Sequence, residues 1–594
     1  MNLSGFSECD FASFSIFSKP SAIQAALTHY GRSTARNENQ HLPKMNMKVL
    51  ISNFRKLDGF LILAIAIVIL GGFFRFYGLE SKYYWSDEVY TSIRVFGLSA
   101  EALLNHFYTG EIISPHDLSN YIEEQASTSL LPTILGLAKE EPQHPPLFFL
   151  LAKLWSSNFS SSVTGIRSMS AAFSLLNIGL IFWLTRLLFR SRTVSLSAVS
   201  LAAVSPFYVL YAQEARPYSF WTAIVLVSCI LLLYANRTKQ LKFWIGYACA
   251  LALGLYTFFL SLALSISHGL YLTYHLFSKN RCAFKQYAQA SLFSILIFTP
   301  WIITTVFYRD SAIAATSWTQ NRTPLWNGNE SLIKSWFFNF GRLFLDFNTH
   351  IDHPITVALT FSTVIIYLLS LLYLVKQKSA PSQAAFVISL TAFPFLAIAM
   401  YDITQESQIS TTQRYFMPAC LGVQLSISYF IGRCISSRFW LSKKLGKLLL
   451  TYLILLGVAY NYLIISADTW WNKSEVLPRI ADFLNSQDKS VLIVLKRRDG
   501  SFDTLGNVLS LSPYLDDNVN LLLQQGTYLT NIQNGYKHAY ILDMSPDLEP
   551  IIKSRYSVRT VPGFQSRLDE ISLHKLKQNE LKQRQPASKT STQS

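Results

Sequence analysis

Long apolar runs alternate with short polar gaps along most of this chain. A helical membrane crossing needs about 20 mainly apolar residues, and eleven runs approach that length. They lie at roughly 59–77, 167–189, 194–211, 218–235, 243–258, 261–277, 287–306, 354–375, 383–401, 415–432 and 447–466. The fifth and sixth form one stretch, Phe243 to Phe277, without Lys, Arg, Asp or Glu. That is too long for one crossing, so a tight turn is expected near Phe259 and Ser261. Between the first two runs, 78–166 is long enough to hold interfacial helices. One is expected at Glu101–Phe107 and another from Pro145 through Leu147, Phe148, Leu150, Leu151, Leu154 and Trp155. After the last run the pattern changes: Val476–Ser486 has helical spacing, and Val491–Leu495, Val519–Leu523 and Ala539–Leu542 read as short strands.

These elements predict an all-α polytopic membrane protein of about eleven transmembrane helices, with a small C-terminal α/β extracytoplasmic domain. The expected divisions are an N-terminal cytoplasmic segment 1–56, partly disordered; a transmembrane domain 57–466 with outer loops 78–166 and 307–352; the α/β domain 467–575; and a disordered tail 576–594. Translation is open between Met1 and Met45, since Met45 and Met47 stand just before the basic run that leads into the first span.

Composition agrees with a bilayer as the solvent. Half of the 594 residues are hydrophobic and 14% are charged, against about a quarter in soluble domains. The net charge of +16 does not point to nucleic acid, because the Lys and Arg stand in short clusters between apolar runs. Arg190, Arg192; Arg237, Lys239, Lys242; Lys279, Arg281, Lys285; Lys376, Lys378; and Arg433, Arg438, Lys443, Lys444, Lys447 occupy alternate loops, the pattern of cytoplasmic loops. With eleven spans this puts the N-terminus in the cytoplasm and the C-terminus outside a plasma (inner) membrane. The six cysteines show neither metal-ligand spacing nor a disulfide framework, and read as small buried hydrophobes.

Four places could carry chemistry. Trp85-Ser86-Asp87-Glu88 sets two acids beside the first span. A partly buried Asp could serve as a general base, although a solvated acidic loop or a helix N-cap accounts for the pair more simply. His144-Pro145-Pro146 opens a helix, where proline is at home and the N-terminus favours anions. Ala212-Gln213-Glu214-Ala215-Arg216-Pro217-Tyr218 is a short turn between spans, where Glu and Arg must face water, a ligand or each other. Gln413-Arg414-Tyr415 puts another arginine at a span end, to bind an anion or to snorkel. Two arginines and an acidic loop on one side suit a phosphate-linked substrate better than a pore, since guanidinium forks match phosphate.

In this order, the motifs resemble glycosyltransferase family 39, the dolichyl-phosphate-mannose-protein mannosyltransferases and their bacterial relatives, which include the lipid A aminoarabinose transferases. The resemblance spans about 55–435 and is strongest at Tyr84–Tyr90, His144–Trp155 and Ala212–Tyr218. It implies a C-type membrane glycosyltransferase fold and transfer of a hexose or pentose, with inversion, from a polyprenyl-phosphate donor to an extracytoplasmic protein, lipid or polysaccharide. It implies Asp87 as catalytic carboxylate with Glu88 assisting, Arg216 and Arg414 on the donor phosphate, and His144, Glu214, Tyr218 and Tyr415 lining the pocket. It requires no organic cofactor and leaves a divalent metal open. Many relatives carry His after Tyr-Thr, where this chain has Tyr256-Thr257-Phe258-Phe259. The competing class, a transporter or flippase of lipid-linked saccharides, would set charges inside the spans near the midplane.

Overall fold

In a computed structural model the described residues are 58–124, 129–160, 162–276, 281–320, 322–326, 331–346, 353–471, 473–495, 501–525, 536–544, 548–565 and 571–576. The expected N-terminal segment, the tail beyond 576 and Cys9 lie outside them. The contacts below lie within residues 63–594.

Each of the eleven apolar runs is helical. Among the described residues, eight helices are long and apolar enough to cross a membrane, and a ninth crossing results if the bent pair Arg192–Ala203 and Pro206–Ala212 is one span. Leu241–Thr257 and Ser261–Leu276 are shorter. The expected turn lies between those two: Phe258 is extended, and the Ser261 N–H donates to its carbonyl.

The bend in the third span has a local cause and a distant remedy. Pro206 lacks the N–H that would reach back to the Ala202 carbonyl, and the two halves meet at 54°. Arg75, buried on the first helix, donates to Ala202 O at 2.9 Å, to Ala203 O at 2.6 Å and to Ser174 Oγ at 2.9 Å. The approach is close enough that a side chain on Gly71 would lie 2.3 Å from Ala203 O. Gln213 closes the C-terminal end of the first helix, donating to Phe74 O and Tyr77 O.

The last part of the chain forms a six-stranded mixed sheet of β1 (Thr109–Ile113), β2 (Ser490–Leu495), β3 (Val519–Gln524), β4 (His538–Leu542), β5 (Val558–Gln565) and β6 (Ser572–Leu576), in the order β1-β3-β2-β4-β6-β5. β2 runs parallel to β3 and β4, and the outer pairings are antiparallel. β2 is buried along its whole length, so it reads as a continuous apolar run.

Parts of the first long loop join this sheet and its core. β1 comes from the first long loop and pairs with β3. Val89 and Ile93 of helix Ser86–Phe96, and Leu103 and Phe107 of helix Ala100–Phe107, share one core with Leu477, Ile480, Leu492, Leu505, Leu521 and Tyr540. The helix read as interfacial at Glu101–Phe107 buries its apolar stripe against protein. The second, Leu147–Asn158, buries Phe148, Phe149 and Ala152 among Val95, Leu137, Ile166 and Met169, while Leu154 stays exposed. Of the cysteines, Cys229, Cys420 and Cys434 are buried as expected, but Cys249 is exposed on its helix.

Candidate active site

Helix Ser86–Phe96 begins at Trp85, whose carbonyl accepts from the Glu88 N–H. The cap is thus Trp85 rather than an acid, and Asp87 and Glu88 fall in the first turn, where the helix dipole favours negative charge. Adjacent residues on a helix point about 100° apart, and the two carboxylates have separate partners.

Asp87 faces two arginines. Its Oδ2 accepts from Arg414 Nη1 at 3.0 Å and lies 3.6 Å from Arg216 Nη2. Arg216 Nη1 also donates to Asp87 O at 3.0 Å and to Thr91 Oγ1 at 3.1 Å, holding the helix by its first turn. Burial by itself would raise the Asp87 carboxyl, but Arg216 and Arg414, helped by Lys473 and His144, hold it below the usual carboxylate range. Among the described residues the Nε atoms of both arginines are buried without a hydrogen-bond partner. The Arg414 guanidinium is 5.6 Å from the Tyr415 ring and 5.9 Å from the rings of Trp85, Tyr218 and Trp318.

Glu88 has a separate partner and lines, with Trp85, Glu214 and Lys473, a small chamber of its own. Its carboxylate accepts from Arg167 Nη2 at 2.6 Å and Nε at 2.8 Å, and from the Ala215 N–H at 2.8 Å. Arg167 also donates to the carbonyls of Leu79, Lys82 and Tyr83. Both side chains are almost fully buried. The pair ties together the first loop, the second span and the 212–217 turn, which makes Glu88 an anchor that positions its neighbour.

Glu214 and Arg216 are not paired side chain to side chain. Glu214 Oε1 accepts from Lys473, whose ammonium stands 4.5 Å from the Trp85 ring and 5.2–5.5 Å from Trp471 and Tyr211. Glu214 Oε2 and Trp85 Nε1 are buried without partners, and both residues line a small chamber of about 20 Å³, room for about one water. The neighbouring Trp470 donates to Asp346 Oδ2 at 3.2 Å. Burial pushes the Asp346 carboxyl up to about 6, its nearest cation being Arg342 at 3.7 Å. Trp470 and Lys473 are therefore held by two different acids.

His144 Nδ1 donates to Glu141 Oε2 at 2.8 Å. Glu141 in turn pairs with Arg94 at 2.8 Å, and Arg94 with Glu140 at 2.6 Å. Burial opposes ionisation of Glu141, but Arg94 and His144 bring it to about 2. His144 thus stands at the end of a charge chain on the side of Asp87. Tyr218 and Tyr415 flank Arg414, and Phe258, where many relatives have His, packs behind them with ring centroids 6.1 and 5.8 Å away. Among the described residues no cluster of three or more His, Cys, Asp or Glu is arranged to hold a metal ion.

The structure thus brings Asp87, Arg216, Arg414, Tyr218 and Tyr415 together, sets His144 and Glu214 beside them, and pairs Glu88 with Arg167. Arg167 and Lys473 escaped the sequence reading, and Trp85 was given no role in it. Only Arg167 left a signal: an arginine in an apolar run must find a counter-charge, and Glu88 is it.

Residues 143–303 match the family profile described as dolichyl-phosphate-mannose-protein mannosyltransferase. The match begins beyond Asp87 and ends before Arg414. A search of curated protein sequences finds no match. Among solved structures, the chain is similar to ArnT from Cupriavidus metallidurans bound to undecaprenyl phosphate, at 13% identity and a TM-score of 0.48, over 87% of this chain and 98% of that one. It is also similar to the oligosaccharyltransferase of Archaeoglobus fulgidus in its apo form, at 10% identity and a TM-score of 0.44, over 84% and 73%. Over 143–303, the stretch that carries His144, Arg167, Glu214 and Arg216, the chain is similar to the dolichyl-phosphate-mannose-protein mannosyltransferase profile that its motifs resemble.

Proposed function

We propose that the protein is a membrane glycosyltransferase that moves a sugar from a polyprenyl-phosphate donor to an acceptor hydroxyl, with inversion, using Asp87 as the base. The observation that carries this reading is a carboxylate between two buried guanidinium groups, each with an unpartnered Nε, beside tyrosines and Trp85. The family match over 143–303 supports the reaction class and is in keeping with a lipid-phosphate donor. With the basic loops in the cytoplasm, the Asp87 end opens on the exoplasmic side of a plasma membrane.

The chemistry follows from the competition for the arginines. At rest Arg216 and Arg414 neutralise Asp87, whose depressed carboxyl is a weak base. The donor's phosphate is a better match for two guanidinium forks. As the phosphate takes them, Asp87 loses its counter-charges and its proton affinity rises. Asp87 then accepts the proton of the acceptor hydroxyl as that oxygen bonds to the anomeric carbon. The bond from that carbon to the phosphate oxygen breaks, and the electron pair leaves with the polyprenyl phosphate. Arg216 and Arg414 stabilise the charge that grows on it, and preorganised stabilisation of this kind is the main source of rate in such a site. The same arrangement discourages hydrolysis, since the base is held inactive until the donor is bound.

The test is Asp87→Asn in membranes supplied with the donor. Sugar transfer should fall by about 10³-fold, within the range of general-base removal, with normal insertion and donor binding. A flippase of lipid-linked saccharides, the competing reading, would keep its activity in that variant, and undiminished transfer would sink the proposal.

A further inference from the structure

The second feature lies at the other end of the bundle and is independent of the reading above. Helix Tyr218–Thr238 starts at the candidate active site and ends at Arg237. At 1.5 Å per residue those ends are about 30 Å apart, the thickness of a bilayer's hydrocarbon core. There a cavity of about 270 Å³ lies between the ends of helices Val163–Phe189, Tyr218–Thr238 and Pro381–Gln405 and the side of Ser261–Leu276. Its size is close to the lower limit of small-ligand sites, about 300 Å³.

Its lining combines one cation, polar groups and an apolar wall: Arg237, Tyr271, Ser382 and Gln383 with Leu188 and Leu233. Tyr271 and Ser382 share a hydrogen bond at 3.3 Å, and Arg237 Nη2 donates to Leu187 O at 2.6 Å. Arg190 is close enough to act on Arg237 as a like charge. No carboxylate can relieve that repulsion locally, because residues 142–213, 215–309 and 353–401, which supply every wall, contain no Asp or Glu. Both arginines are exposed, so an anion from outside can reach them. Leu188 and Leu233 form the apolar part of the lining.

We infer that this cavity binds the phosphate ester of an anionic membrane lipid, with Arg237 and Arg190 as its cations, hydroxyl and amide groups of Ser382 and Gln383 as neutral partners, and Leu188 and Leu233 against the glycerol end. A zwitterionic headgroup fits less well, since its ammonium would meet two arginines.

Native mass spectrometry of the full chain released from detergent tests this, with phosphatidylglycerol, phosphatidylcholine and inorganic phosphate as probes. Phosphatidylglycerol should bind about tenfold more tightly than phosphatidylcholine. The double variant Arg190→Gln, Arg237→Gln should lose roughly that tenfold, the effect of one charge-assisted contact or more. Arg237→Lys, which keeps the charge, should lose only part of it. Should the double variant fail to fold, Gln383→Leu carries the same test with a smaller expected loss. Inorganic phosphate bound as tightly as the lipid would keep the phosphate site and make its source soluble. Equal phosphatidylglycerol binding by the wild type and the variants would overturn the site.

Discussion

The two ends of this bundle use arginine in opposite ways. At the Asp87 end every arginine of the site meets an acid or a row of carbonyls: Arg216 and Arg414 meet Asp87, Arg167 meets Glu88, and Arg94 meets Glu140 and Glu141. At the Arg237 end the walls contain no acid. A guanidinium satisfied inside the fold rigidifies it, whereas one left without a counter-charge is available to an outside anion. On the proposed reading the Asp87 end does both, with Asp87 as an internal partner that a donor phosphate displaces and Glu88 as one that stays.

That contrast can be broken most forcefully at Glu88. Glu88→Gln leaves Arg167 as a buried charge without its carboxylate, and stability should fall by about 3–5 kcal/mol, read from thermal unfolding in detergent. Replacing both partners by apolar residues, Glu88→Leu with Arg167→Met, should recover much of the loss. If Glu88→Gln alone unfolds no earlier than the wild type, the anchor role is wrong.

Asp346 shows what a buried acid does with a poorer partner. Its folded value is raised to about 6 from an unfolded value near 3.9. A raised group contributes stability that is fully present below the unfolded value and is lost as pH rises through the folded one. Stability should therefore decline from about pH 4 to pH 6 by up to about 3 kcal/mol from this residue. Asp346→Asn should flatten that part of the curve, and an unchanged curve would exclude the effect.

The smallest change sharpens the role of the fork. Arg414→Lys keeps the positive charge but gives up the planar pair of donors. Transfer should fall by about tenfold in kcat/KM, roughly 1.4 kcal/mol, with insertion intact. A variant as active as the wild type would reduce Arg414 to a bulk charge.

Much of this was legible in the chain itself. Asp87, Arg216 and Arg414 stood out because charges at the ends of apolar runs need a reason, and the structure brings those three together. Which of two adjacent acids is sequestered leaves no mark in the sequence, and here it is Glu88. Its partner is 79 residues away, and only the packing of the second span against the first loop reveals it. Lys473 and Trp85 have no local signature, since a lysine and a tryptophan near a membrane surface are ordinary interfacial residues. β1 was missed because Thr109–Ile113 is short and only β3 gives it a ladder.

The sequence by itself determined the helices, because a backbone in hydrocarbon must bond to itself and the length of each apolar run is a local property. It also determined where the basic loops fall, and that one flank carries acids while the cavity walls at the other do not. The tertiary structure decided which acid closes on which arginine, which loop lends a strand to the sheet and which tryptophans frame Lys473. Those pairings join residues tens to hundreds of positions apart. They are set by which groups burial brings within about 3 Å of one another, where the low dielectric makes an unmatched charge costly.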